Sequence, residues 1–284
     1  EIFFTRKYAI TMNYSLSYSL GSGSRGADPS ATRYIAAVRA AGATVDSNQT
    51  GEINTFFKAA KANGYYTSLK RLYLPIWGVA SANAIDLITG ASGTFVGGVT
   101  HAAGYIVSNG TTGYFNMGSS PSAMGLSISS VWQGRLYKTA HSGNYQEGVY
   151  EDTVRSYTLA SFASNTIQAD IFDVSTSRDT FTVTNAASSN GITSFNRSSG
   201  VSRFRVRKTS GRVTYTDLTR ADGGNLPTSN VYALGLNFGG IGSQMHTRQV
   251  GIIWTGTGVT DAQDSLATSS LKTLWENCTG LTLP

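Results

Sequence analysis

From about residue 94 onward the chain is a train of short runs in which apolar and polar residues alternate. GYIVSN, GYFNMG, LSISSVW, SYTLASF, TIQADIFDV, DTFTVTN, SRFRVRK, RVTYTDL, VYALGLNF and QVGIIWTG follow one another, separated by Gly, Ser and Asn. A period of two is that of a strand with one buried face, and the residues between the runs are turn formers. Many short strands at this spacing predict an antiparallel β-sandwich of jelly-roll type. RFRVRKTSGRVTYTDL is the clearest hairpin: Phe204 and Val206 point inward, while Arg203, Arg205 and Arg207 point out.

Ahead of the strands lies the only dense helical region. Asp28 is a good N-cap and Pro29 a good first helical residue; Tyr34, Ile35, Val38 and Ala41 then share a face, and Gly42 stops the helix. A second helix starts at Asp46 or Ser47, with Ile53, Phe56, Phe57 and Ala60 on one stripe and Asn63-Gly64 at its end. TSLKRLYLPIWG predicts a third short segment presenting Leu69, Leu72, Tyr73 and Ile76, limited by Pro75. At the other end of the chain, Thr260 and Gln263 form a capping box for a closing helix that Gly280 terminates. The expected organisation is an N-terminal arm and linker over 1–27, a small helical unit over 28–90, and a sandwich with its C-terminal helix over 91–284. Within the arm, Tyr14, Leu16, Tyr18 and Leu20 alternate with serines, as in a half-buried strand or an extended segment laid on a neighbour.

Charged residues make up only 13% of the chain, about half the usual share, and Gly, Ser, Thr and Asn take their place. The net charge of +6 is not gathered into blocks, so it allows mild affinity for polyanions without calling for a nucleic-acid partner. Cys278 is the single cysteine, which rules out an intrachain disulfide. No stretch has the length of a membrane helix, and no charged-then-apolar leader opens the chain. The first residue is not Met, so the expectation is a processed chain or a piece of a longer one.

GSGSRG at 21–26, with Asp46 some twenty residues on, matches the letters of a dinucleotide fingerprint. The context contradicts it. The upstream run alternates with Ser, the helix opens beyond the last Gly, an acid caps that helix, and no strand–helix–strand alternation follows. The stretch reads as a linker, and no cofactor is expected.

Other candidate chemistry is sparse. His101, His141 and His246 have no metal-ligand spacing, and no G-x-S-x-G elbow accompanies them. Glu147 and Glu151, four apart in EGVYED, are the nearest approach to a glycosidase carboxylate pair; the plainer reading is a solvated hairpin face. DVSTSRD at 173–179 spaces oxygens like a calcium loop but lacks its Gly and distal Glu, so it reads as a turn and no metal is expected. The strongest charge feature is Arg203, Arg205, Arg207, Lys208, Arg212 and Arg220, which could meet an anionic glycan or an acidic neighbour, or simply keep an outer sheet face soluble. Trp132, Tyr137 and Tyr145, in the loop-rich VWQGRLYKTAHSGNYQEGVY, are candidates for stacking on a sugar, with packing as the plainer role.

The stretch NVYALGLNFGG, followed by RQVGIIWTGTGVTDAQDSLATSSLKTLWENCTGL, resembles concanavalin A-like (laminin-G-like) jelly rolls of tailed-bacteriophage structural proteins. In these a late strand is followed by a turn into a closing helix, here carried by Gly256, Gly258, Val259, Thr260, Asp261 and Gln263. NGTTGYFNMGSSPS at 109–122 is similar to their early strand-turn region, and the helical preamble from Tyr34 to Gly78 resembles a module that precedes such sandwiches. The resemblance spans about residues 28 to 281. It implies a non-enzymatic virion component (fibre, spike, tail or head decoration) assembled in the bacterial cytoplasm, with other virion proteins and copies of itself as partners, and host-surface polysaccharide as a further one. It brings no catalytic motif. The alternatives are a glycan-active enzyme or a free lectin on the same scaffold.

Overall fold

The computed structural model describes residues 26–140, 145–153, 155–162, 166–172, 178–182, 190–219 and 223–284. The alternating arm at 14–20, most of GSGSRG, His141, most of DVSTSRD, Arg220 and the Tyr145 side chain lie outside the described residues.

Among these residues the strands pair into two nine-stranded sheets. The first runs, in spatial order, Gly211–Thr214, Val201–Lys208, Gly191–Ser198, Ser130–Tyr137, Val250–Gly256, Tyr105–Ser108 and Val99–Ala102, with Leu69–Tyr73 on Val250–Gly256 and Leu218–Thr219 on Val201–Lys208 off this path. The second runs Arg178–Thr182, Thr166–Ile171, Arg155–Phe162, Tyr145–Asp152, Tyr232–Ala233, Tyr114–Asn116 and Thr94–Val96, with Leu236–Phe238 and Ile241–Ser243 off this path. Pairing is antiparallel except where Leu236–Phe238 lies parallel to Tyr145–Asp152. The mainly β sandwich expected from the strand runs is present.

The alternation assigns the interior. Val131, Tyr137, Phe195, Phe204, Val206 and Val250 from the first sheet meet Val149, Tyr157, Leu159, Ile167, Ile171 and Phe181 from the second. The opposite face of the first sheet is also buried. Trp132, Leu136, Ile192, Ile252 and Trp254 pack there against helices α1 (Pro29–Ala40), α2 (Ser47–Ala62) and α4 (Asp261–Thr279), which contribute Tyr34, Val38, Phe57, Leu271 and Trp275; a short helix, α3 (Ala80–Asn83), lies between α2 and α4 in the chain. The molecule is therefore three layers deep: helices, helix-covered sheet, outer sheet. Gly134 permits this closeness, since a Cβ there would lie 2.1 Å from the Trp254 ring and 2.2 Å from the Thr193 carbonyl.

The caps form as the sequence predicts. The Asp28 carboxylate accepts from the Ser30 amide at 2.9 Å ahead of Pro29, Asp46 and Gln49 form a reciprocal box, and Thr260 and Gln263 form another. Gly280 closes α4 in the left-handed conformation at φ 69°. One expectation is corrected: Leu69–Tyr73 is not helical but a strand paired antiparallel to Val250–Gly256. Its apolar residues Leu69 and Leu72 fit a helical stripe equally well, and the pull of the sheet edge decides between the two. The helical layer and the sheet consequently share one core rather than meeting at a polar boundary.

Candidate interaction surface

The residues with the most chemical potential are turned inward. Glu147, on the outer sheet, points into the sandwich and is fully buried. Arg135 Nε donates to its Oε2 at 2.8 Å, and the Tyr137 hydroxyl donates to its Oε1 at 2.9 Å. His246 Nδ1 accepts the Arg248 amide at 3.2 Å, which leaves Nε2–H to donate to Glu147 Oε1 at 2.5 Å. The Arg248 guanidinium lies 3.4 Å from the centre of the Tyr137 ring. Burial pushes the Glu147 carboxyl up, but the Arg135 charge and the His246 hydrogen bond outweigh it and hold it at about 2. A second pair crosses the same interior: Arg197 Nη2 meets Asp179 Oδ2 at 3.1 Å, with both side chains fully buried.

This geometry corrects the carboxylate-pair reading. Glu147 is sealed from substrate, and a bulge between Tyr150 and Asp152 interrupts the register between it and Glu151. Glu151 instead holds the 228–229 turn, accepting from the Thr228 amide at 2.8 Å and the Ser229 amide at 2.6 Å. The sugar-stacking reading of Trp132 and Tyr137 is corrected as well, because both rings are 0% exposed. Trp132 faces α4, where its indole N–H donates to Asp264 Oδ1 at 2.8 Å, and Tyr137 caps Glu147. Strand alternation sends neighbouring side chains to opposite faces, but both faces of this sheet are covered, so neither ring reaches solvent.

The arginine hairpin has the predicted alternation and a different outward environment. Its outward face is where α4 docks. Arg205 reaches Asp217 at 2.6 Å and Asp261 at 3.1 Å. Arg207 donates to the Ser265 carbonyl at 2.8 Å and to the Thr268 hydroxyl at 3.1 Å. Arg212 clamps both Asp261 at 2.9 Å and Asp264 at 2.7 Å. Lys208 donates to Asn190 at 2.9 Å, and Arg203 lies 3.3 Å from Asp217. The anion-binding reading is thereby corrected for Arg205 and Arg207, whose charges and donors hold a helix of their own chain. His101 is half-buried, bonded through Nδ1 to Asn83 at 3.1 Å and packed edge-on against Phe95; burial lowers its pKa.

A pair of large apolar side chains is left exposed. Leu236–Phe238 and Ile241–Ser243 form a hairpin whose turn, Gly239-Gly240, has φ values of 58° and 91°, a conformation that glycine adopts without strain. Phe238 and Ile241 are cross-strand partners and hence share a face. They are 54% and 73% exposed, Ile241 being the most exposed large apolar side chain among the described residues. The parallel register places Phe238 beside Tyr150, and the two rings stack at 5.3 Å with 3° between their planes. Sequence reasoning passed over this hairpin; Phe-Gly-Gly-Ile inside an alternating run was the available signal.

Among the described residues no group of three His, Cys, Asp or Glu side chains could hold a metal, and no helix is long and apolar enough to cross a membrane. No protein-family model matches the chain, and no curated protein matches it. Solved structures share the sandwich at low similarity. A Trypanosoma rangeli sialidase in complex with sialic acid has 9% identity and a TM-score of 0.47 over 78% of this chain and 39% of its own. The botulinum neurotoxin serotype D binding domain has 9% identity and a TM-score of 0.48, with 72% and 52% covered. Domain 4 of an extracellular arabinanase from Geobacillus stearothermophilus, in complex with arabinotriose, has 11% identity and a TM-score of 0.46, with 72% and 98% covered. The chain spans about two fifths of the sialidase. At these scores the likeness is one of strand arrangement and says nothing of what this chain binds.

Proposed function

We propose that the chain is a non-enzymatic structural subunit of a tailed-bacteriophage virion, exposed on the particle, which contacts a neighbouring subunit through the Phe238–Ile241 hairpin and recognises host-surface glycan. The observation that carries the proposal is that hairpin. Two large apolar side chains project side by side from a surface otherwise rich in Gly, Ser, Thr and Asn, on a turn with the backbone geometry of a stable hairpin. Exposed apolar surface of this kind marks a contact site. The simplest occupant is a second copy of the chain, because a shared-face pair such as Phe238 and Ile241 can meet its own equivalent across a two-fold axis.

The non-enzymatic half is supported by how the available groups are used. Glu147 and His246 bind each other in the interior, Glu151 holds a turn, and Arg205 and Arg207 hold α4. The virion half is supported by the sequence resemblance at Gly256–Gln263, where strand Val250–Gly256 leads through the Thr260 cap into the closing helix. Sedimentation velocity tests the contact. The wild type should self-associate with rising concentration, and Ile241→Ser with Phe238→Ser should remain monomeric while keeping the wild-type melting temperature. A wild type that stays monomeric at all concentrations and still binds glycan would instead be a free lectin module.

A further inference from the structure

A cleft at the far edge of the sandwich has none of the features of the hairpin. It lies between the edge strand Arg178–Thr182 of the outer sheet and the segment 215–218 that follows Gly211–Thr214 in the other. Thr180, Phe181, Thr182, Tyr215, Thr216 and Leu218 line it, around a volume of about 170 Å³. Its floor is fixed by aromatic packing. Phe181 lies 5.6 Å from the Phe204 ring, and Tyr215 lies 5.2 Å from the same ring. Its rim is hydroxyl. Among the described residues, none of the side-chain hydroxyls of Thr180, Thr182, Thr216 or Tyr215 has a hydrogen-bond partner.

Among the described residues, no charged side chain lines the cleft. Asp217, which sits in sequence between two lining residues, is turned away, with its carboxylate 2.6 Å from Arg205 Nη2 and 3.3 Å from Arg203 Nε. Burial also pushes the Tyr215 phenol up, so it remains a neutral donor and acceptor. An apolar ring with uncommitted hydroxyls around it and no charge is the complement of a sugar ring, which offers C–H groups on a face and hydroxyls at its edge. The volume falls below the roughly 300 Å³ at which cavities begin to enclose drug-sized ligands, so one ring fits and the rest of a chain runs out into solvent.

We propose that the cleft between Thr180–Thr182 and Tyr215–Leu218 is a binding site for a single neutral pyranose unit of a polysaccharide, with Tyr215 as the stacking ring and the threonine hydroxyls reading the sugar's edge. This rests on the glycan-recognition half of the function proposed above and supplies its site and ligand class. Among the described lining residues, an anionic sugar has no cation to meet it.

The test is titration calorimetry of the whole chain with a panel of neutral and sialylated oligosaccharides, using wild type, Tyr215→Phe, Thr180→Val with Thr216→Val, and Lys58→Ala, on the exposed face of α2, as a variant remote from the cleft. A neutral saccharide should bind the wild type and Lys58→Ala equally. The threonine double variant should bind about tenfold more weakly and Tyr215→Phe several-fold more weakly, both with unchanged melting temperature. Neutral-sugar binding that the cleft variants leave untouched would overturn this site and leave glycan recognition standing. Binding confined to sialylated sugars would overturn the neutral class. No binding to any saccharide by the wild type would overturn both the site and the glycan reading. Protection of the cleft by an added peptide strand rather than a sugar would assign the edge to strand pairing and overturn the proposal.

Discussion

Arg135 and Glu147 meet across the inside of the sandwich, guanidinium Nε to carboxylate Oε2 at 2.8 Å, with neither side chain more than 1% exposed. The pair joins the helix-covered sheet to the outer sheet at its middle, and Arg197 with Asp179 does the same nearer the edge. Each arginine comes from the first sheet and each carboxylate from the second. A buried pair of this kind adds little to stability over an apolar substitute, but removing one partner strands the other charge.

Glu147→Gln and Arg135→Met should therefore each destabilise the chain by about 3–5 kcal/mol. Arg135→Met combined with Glu147→Leu should lose clearly less than the sum of the single changes. Urea unfolding of the variants measures the coupling, and losses that add to within about 0.5 kcal/mol would show that the pair does not act as a unit.

Glu147 also sets an acid limit. Its folded pKa, about 2, is depressed below the unfolded value of about 4.3, so its contribution is fully present above the unfolded value and is lost as pH falls through the folded one. Stability should drop between about pH 4.5 and pH 2, and Glu147→Gln should flatten that segment of the curve. A wild-type melting temperature constant over this window would contradict the assignment.

The closing helix is anchored by Asp264, which receives the Trp132 indole at 2.8 Å, the Ser194 hydroxyl and Arg212 at 2.7 Å. Asp264→Ala should cost about 3 kcal/mol, because three buried or half-buried donors lose their acceptor together. Arg203→Ser, which gives up only a looser surface pair, should cost less than about 1 kcal/mol. Hydrogen exchange along 261–279 should accelerate in the first variant and not in the second; equal exchange in both would place the anchor elsewhere.

Cys278, in the last turn of α4, is buried in the core that this helix shares with α2, and burial, helped by Glu52 and Asp46, pushes its thiol up to about 12. It should stay unreactive toward a thiol reagent in mildly alkaline buffer and become reactive on unfolding. Prompt labelling of the native chain would mean that this end of α4 opens readily.

The fold was legible wherever one physical rule acted alone. Two-residue alternation located Phe204 and Val206 inside, and the Asp28-Pro29 and Thr260–Gln263 caps placed two helix starts. It failed where a second layer intervened. Alternation around Trp132 and Arg205 distinguishes two faces but cannot say that helices cover one of them, so outward residues were read as solvent-facing. Leu69–Tyr73 was misread because five residues are too few to separate the two periods. Glu147 was singled out for chemistry, yet its partners Arg135 and His246 are 12 and 99 residues away, and only the sheet pairing brings them together.

On the proposed function the chain occupies a fixed place on a virion. Immunogold electron microscopy of purified phage carrying this chain, with antibody raised against residues 26–284, tests it most directly. Label fixed to tail, spike or shell is the predicted result, and it should be lost when the chain carries Phe238→Ser and Ile241→Ser. Particles that carry no label, with the chain recovered only as free protein, would contradict it.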